Sequence, residues 1–73
     1  MGVIPPEVRA WFAGAVTDEA IAGHLETLRV DPAWRVRAFS SRSAWTLNLL
    51  YAPTGERVSI VLRRNGPLWR GNA

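Results

Sequence analysis

The chain has 73 residues, enough for one domain spanning 1–73, and its nine arginines against six carboxylates leave a formal charge of +3. A hydrophobic share of 48% is globular rather than disordered, and the absence of cysteine excludes a disulfide framework, a thiol nucleophile and a zinc-finger ligand set. No apolar run approaches the ~18 residues of a membrane span. The opening Met1–Glu7 stretch has neither the basic nor the apolar region of a secretory signal, and Pro6 stands where a myristoylation motif needs Ser or Thr, so a soluble, cytoplasmic chain is expected.

In chain order, Pro5-Pro6-Glu7 suits a first helical turn, and Val8, Trp11, Phe12 and Ala15 recur as one helical stripe that Gly14 cuts short. Thr17 reads as the cap of a second helix, with Asp18 and Glu19 in its first turn and Arg29 near its end. Val16 and Ile21 are placed for a hydrophobic staple, Ile21, Leu25 and Leu28 form the apolar stripe, and Asp31-Pro32 stops the helix. The period then changes to two. Trp34, Val36 and Ala38 alternate with Arg35, Arg37 and Phe39. After a turn at 40–43, Trp45, Leu47, Leu49 and Tyr51 alternate with Thr46, Asn48 and Leu50. After a second turn at 53–56, Val58, Ile60 and Leu62 alternate with Arg57, Ser59, Val61 and Arg63. Asn65-Gly66-Pro67 ends the last strand, and the tail 68–73 is left unassigned.

These elements predict an α+β domain in two layers: two short N-terminal helices packed on one face of a three-stranded antiparallel β-meander. Pairing Phe39 with Ala44 and Ala52 with Arg57 puts every apolar partner on one side, whereas a slip of one residue would set apolar residues against the wrong face. Because so small a domain buries a low fraction of its surface, it needs dense packing of Trp11, Trp34, Trp45 and Trp69, or a homodimer.

The same registers predict the opposite face. One row reads Arg37, Thr46, Arg63, with the two arginines ~10 Å apart, and the next reads Arg35, Asn48, Val61. Leu50 and Ser59 follow, with Phe39 and Arg57 at the strand ends. Charge divides in the same way. Residues 1–33 hold two arginines and five carboxylates, net −3, and residues 34–73 hold seven arginines and one carboxylate, net +6. An acidic helical layer and a basic sheet layer are expected, the latter a footprint of anionic partners. Guanidinium groups bind phosphate and carboxylate with two prongs. Ten alanines and no lysine also fit a GC-rich coding bias, so the positions of the arginines carry the argument rather than their exclusivity.

A catalytic set is hard to assemble. His24 is the single histidine and borders the second helix's buried stripe. Ser40, Ser41 and Ser43 form a turn cluster without a neighbouring base, no Gly-rich phosphate loop exists, and no metal or other cofactor is expected. Two binding readings remain. The first is a non-catalytic protein-binding module or stoichiometric inhibitor, of the kind phages and mobile elements use against host defence, including anti-CRISPR proteins. It would act through the sheet face Arg35, Arg37, Phe39, Thr46, Asn48, Arg57, Ser59, Val61 and Arg63, or through an acidic helical face of Glu7, Asp18, Glu19 and Glu26 that mimics nucleic acid. The alternative is a nucleic-acid-binding module whose sheet arginines contact phosphates, with Phe39 as a stacking platform. A third reading is enzymatic. The element order resembles that of ribosome-dependent mRNA-interferase toxins, and that resemblance would make Arg37, Arg63, Tyr51 and His24 an RNA-cleaving set, although Tyr51 is predicted on the face opposite the arginines.

Overall fold

The computed structural model describes residues 5–72. Helix α1 (Pro6–Trp11) is followed by strand β1 (Ala13–Val16), helix α2 (Asp18–Arg29) and four strands, β2 (Trp34–Ser40), β3 (Ala44–Tyr51), β4 (Glu56–Asn65) and β5 (Leu68–Asn72). All strands join one antiparallel sheet in the order β1-β5-β4-β3-β2. The architecture is therefore a five-stranded sheet with one long and one short helix, not the three-stranded meander expected from the sequence.

The two additional strands have different physical origins. The expected helical stripe runs to Ala15, with Gly14 cutting it short, but α1 ends at Trp11, and Gly14 adopts φ 69°, outside the right-handed helical region. Ala13–Val16 then pairs with Asn72–Trp69, a non-local contact that local periodicity does not report. Strand β5 follows a two-residue loop. Asn65 pairs with Leu68 around Gly66-Pro67. Gly66 has φ 63°, and Pro67 must hold a negative φ, which is the II′ hairpin combination. The Gly-Pro pair that looked like a strand terminator is thus a hairpin turn.

Helix α2 follows its sequence signals closely. Thr17 Oγ1 accepts from the Ala20 amide at 3.1 Å, Asp18 and Glu19 occupy the first turn, and Val16 and Ile21 are both buried beside the cap. Ile21, Leu25 and Leu28 face the sheet. The helix starts beside β5 and β4, where Asp18 meets Trp69 and Arg64, and it delivers the chain to β2 at the far edge. It therefore crosses the sheet obliquely.

The core lies between this helical layer and one face of the sheet. Phe12, Leu47, Leu49, Ile60 and Leu62 are essentially sealed from solvent, and Trp34 and Trp69 close its two ends. Each such aliphatic side chain contributes roughly 1.5–3 kcal/mol by leaving water. Trp69 folds back onto the core and meets Trp45 edge-on at 6.5 Å. No helix among the described residues is long and apolar enough to cross a membrane.

Both inner hairpins differ in register from the expected pairing by two residues. Ser40 pairs with Trp45, and Tyr51 pairs with Glu56. In the first hairpin Ser41 closes on Ala44 (amide to carbonyl, 2.8 Å; Ala44 amide to Ser41 Oγ, 3.2 Å), leaving only Arg42-Ser43 at the tip. In the second, Gly55 takes φ 76° and donates to the Tyr51 carbonyl at 2.8 Å, so the glycine must occupy the last loop position. Because side chains alternate with period two, an even shift changes partners but keeps every residue on its face.

Among the described glycines, Gly71 is the one with no room for a side chain. A Cβ there would overlap the Phe12 carbonyl oxygen and press on the Leu62 side chain. Gly71→Ala is predicted to lower the unfolding free energy by about 1–3 kcal/mol through overpacking. Urea denaturation checks this, with Gly23→Ala, whose Cβ would meet open space, as the control.

Candidate arginine-bearing sheet face

The registers arrange the outer face in rows across the strands. At one end Ala15, Arg70, Arg63 and Ala44 lie side by side. Val61, Thr46 and Phe39 form the next row, then Ser59, Asn48 and Arg37, and finally Arg57, Leu50 and Arg35. All nine residues predicted for the sheet site (Arg35, Arg37, Phe39, Thr46, Asn48, Arg57, Ser59, Val61 and Arg63) share this face. The rows themselves are corrected. Arg37 and Arg63 do not flank Thr46; they stand two rows apart, about 17 Å along the diagonal. Val61 sits across from Thr46 rather than in a row with Arg35 and Asn48.

Arg70 is the functional candidate that sequence reasoning missed. It lies on β5, directly opposite Arg63. The available signal was the alternation of Leu68, Trp69 and Arg70 after a Gly-Pro hairpin turn. Directly opposed cross-strand residues have Cβ atoms roughly 4.5–5.5 Å apart, and like charges there are destabilising. Alanines flank the pair on both sides, at positions 15 and 44, so the two guanidinium groups stand above short neighbours.

No side-chain carboxylate among the described residues shares this face. Glu56 pairs with Tyr51 on the core side, and the ion pair among the described residues joins Arg64 to Asp18 at 4.0 Å beside the helical layer. Arg35, Arg37, Arg57, Arg63 and Arg70 therefore project from one surface without an acidic partner. Arg35 is oriented by donating from Nη1 to the Pro32 and Trp34 carbonyls at 2.8 and 3.1 Å. Between the arginines lie Asn48, Ser59 and Thr46, and Phe39 is 57% exposed at the free edge strand. Arg35, Arg37, Asn48, Leu50, Arg57 and Ser59 line an open depression of about 770 Å³.

The acidic alternative is less coherent. On α2, at about 100° per residue, Glu19 and Glu26 fall within about 20° of each other on the exposed side, while Asp18 lies roughly 80–100° away. Asp18 accepts the Trp69 indole N–H and approaches Arg64, whose guanidinium carbon sits 4.8 Å from the Trp69 ring centroid. It therefore joins the start of α2 to the last two strands. Glu7 belongs to α1, separate from these groups along the chain.

The proposed RNA-cleaving set is not brought together. Arg37 and Arg63 occupy the outer face, whereas Tyr51 packs beside Trp34 at 4.9 Å on the inner one. His24 is half-buried in the helical layer, stacked on Trp11 at 4.9 Å and edge-on to Phe12 at 5.4 Å. Among the described residues no group of three or more metal-ligating side chains occurs.

Comparison with protein-family models, with curated proteins and with solved structures finds no match to this chain.

Asp18→Ala removes the indole acceptor and a favourable first-turn charge. It is predicted to cost about 1–2 kcal/mol in unfolding free energy and to change the Trp69 fluorescence. Glu19→Ala, which loses only the dipole term, should cost under about 1 kcal/mol; equal costs would show that the Trp69 contact contributes nothing.

Proposed function

We propose that the chain is a non-catalytic nucleic-acid-binding module whose working surface is the outer face of the sheet. The observation that carries this reading is the set of five arginines on a face that bears no side-chain carboxylate among the described residues, with Arg63 and Arg70 directly opposed. Phosphate groups would neutralise this charge and relieve the repulsion between the facing pair, and each guanidinium can grip a phosphate with two parallel hydrogen bonds. Asn48, Ser59 and Thr46 supply neutral donors between the charges. The division of charge supports the same orientation, since the acidic helical layer turns away from a polyanion that the sheet layer attracts.

A protein partner is the second reading. The exposed Phe39 favours it, because an aromatic ring in one row with Thr46 and Val61, on a face that carries arginines, is hot-spot chemistry. Such a partner would have to present carboxylates to the same arginines.

Salt titration tests the proposal. Phosphate contacts by all five arginines predict that log Kobs falls against log salt with a slope of about −3.5 to −4.5. Arg37→Glu combined with Arg63→Glu should abolish binding to RNA and DNA at low salt. Unchanged binding in that double variant would place the site elsewhere, and absence of any complex at low salt would end the nucleic-acid reading.

A further inference from the structure

The five arginines are not scattered evenly over the face. They stand in two lines with a lower strip between them. Strand β2 contributes Arg35 and Arg37 and then Phe39; strand β4 contributes Arg57 and Arg63, with Arg70 beside it on β5. Between them β3 presents Leu50, Asn48, Thr46 and Ala44, which are shorter and uncharged. Strands on either side of β3 are about 9–10 Å apart, and Arg57 to Arg63 spans roughly 20 Å. The outer face is thus a trough that runs along β3 over a neutral floor, with arginines along its β2 side and at both ends of its β4 side, where Ser59 and Val61 lie between them, and with the open depression at its Arg35–Arg57 end.

A trough of this width discriminates between forms of nucleic acid. The major groove of a duplex, about 12 Å wide, admits one helix or a two-stranded ribbon, not the face of a five-stranded sheet. A duplex resting on this surface would meet only the lips. A single strand is narrow enough to lie between them, and its unpaired bases can stack on an aromatic ring. Phe39 stands on one lip with more than half of its surface exposed, level with Thr46 on the floor and Val61 on the other lip. A length of about 20 Å fits the short end of known single-strand sites, about four nucleotides.

We infer that the trough along β3 binds single-stranded nucleic acid lengthwise, with phosphates on the arginine lips and one base stacked on Phe39. This rests on the proposed nucleic-acid-binding function and narrows its ligand to an unpaired strand.

The test measures anisotropy of a fluorescein-labelled oligothymidylate, of a hairpin duplex with the same number of phosphates, and of an abasic strand, all at low salt. Labelled polyglutamate serves as the protein-like polyanion. The single strand is expected to bind about tenfold or more tighter than the duplex. Phe39→Ala and Phe39→Leu should each weaken single-strand binding by about tenfold, Phe39→Trp should retain it, and the cost of Phe39→Ala should vanish on the abasic strand. Equal or tighter duplex binding, or no loss in Phe39→Leu, overturns the trough inference and leaves the arginine face as a general phosphate site. Failure of every nucleic acid to bind overturns both, and capture of polyglutamate alone assigns the face to an acidic protein.

Discussion

The alternation of side chains across antiparallel pairs is the constraint on which everything else depends. Strands β2, β3 and β4 each carry two sequences interleaved with period two, one apolar and one mainly polar, with Phe39, Leu50 and Val61 as the apolar members of the second. Pairing them in even registers collects Trp34, Leu47, Leu49, Val58, Ile60 and Leu62 under the helices, and the same step necessarily collects the arginines on the other side. Core formation and charge segregation are therefore one event. A pairing that scattered the arginines would also expose the core, at a cost of several buried aliphatic side chains worth roughly 1.5–3 kcal/mol each.

The ends of the chain complete this arrangement. Strand β5 lies between β1 and β4, so the C-terminal segment joins the region around α1 to the central meander. Trp69 seals the core at that end, and its indole N–H is held by Asp18 at the start of α2. The acidic first turn of α2 thus has a definite structural task, which weakens its claim to be a binding epitope. Conversely, the arginines of the outer face have no charge partner among the described residues, and Arg63 and Arg70 face each other across a strand pair where like charges are unfavourable. An external anion on this surface, as proposed above, would relieve that repulsion.

Local signals with a stereochemical cause were legible in the sequence. The Thr17 cap, the burial of Val16 and Ile21 beside it and the stripe of Ile21, Leu25 and Leu28 each depend on signals within a few residues of chain. The three alternating segments were legible for the same reason, and their faces survived a two-residue error in pairing because parity, not partner identity, decides the face. Strand β1 was not legible, because Ala13-Gly14-Ala15-Val16 has no pattern of its own and becomes a strand only by pairing with a segment more than fifty residues away. Strand β5 was hidden by reading Gly66-Pro67 as a stop rather than as a hairpin turn. With β5 went Arg70, the one member of the arginine face absent from the expected site.

The central claim is that one side of the sheet is a core and the other a phosphate-binding surface, and it can be read directly from methyl groups. A methyl-resolved NMR titration with a short single-stranded oligonucleotide distinguishes Leu50 and Val61, on the outer face, from Leu47, Leu49, Ile60 and Leu62 beneath the helices. The account predicts saturable shifts confined to Leu50, Val61 and the Thr46 methyl, lost on raising the salt. Shifts centred instead on the α2 residues Ala20, Ala22 and Thr27, or on the core methyls, would contradict it.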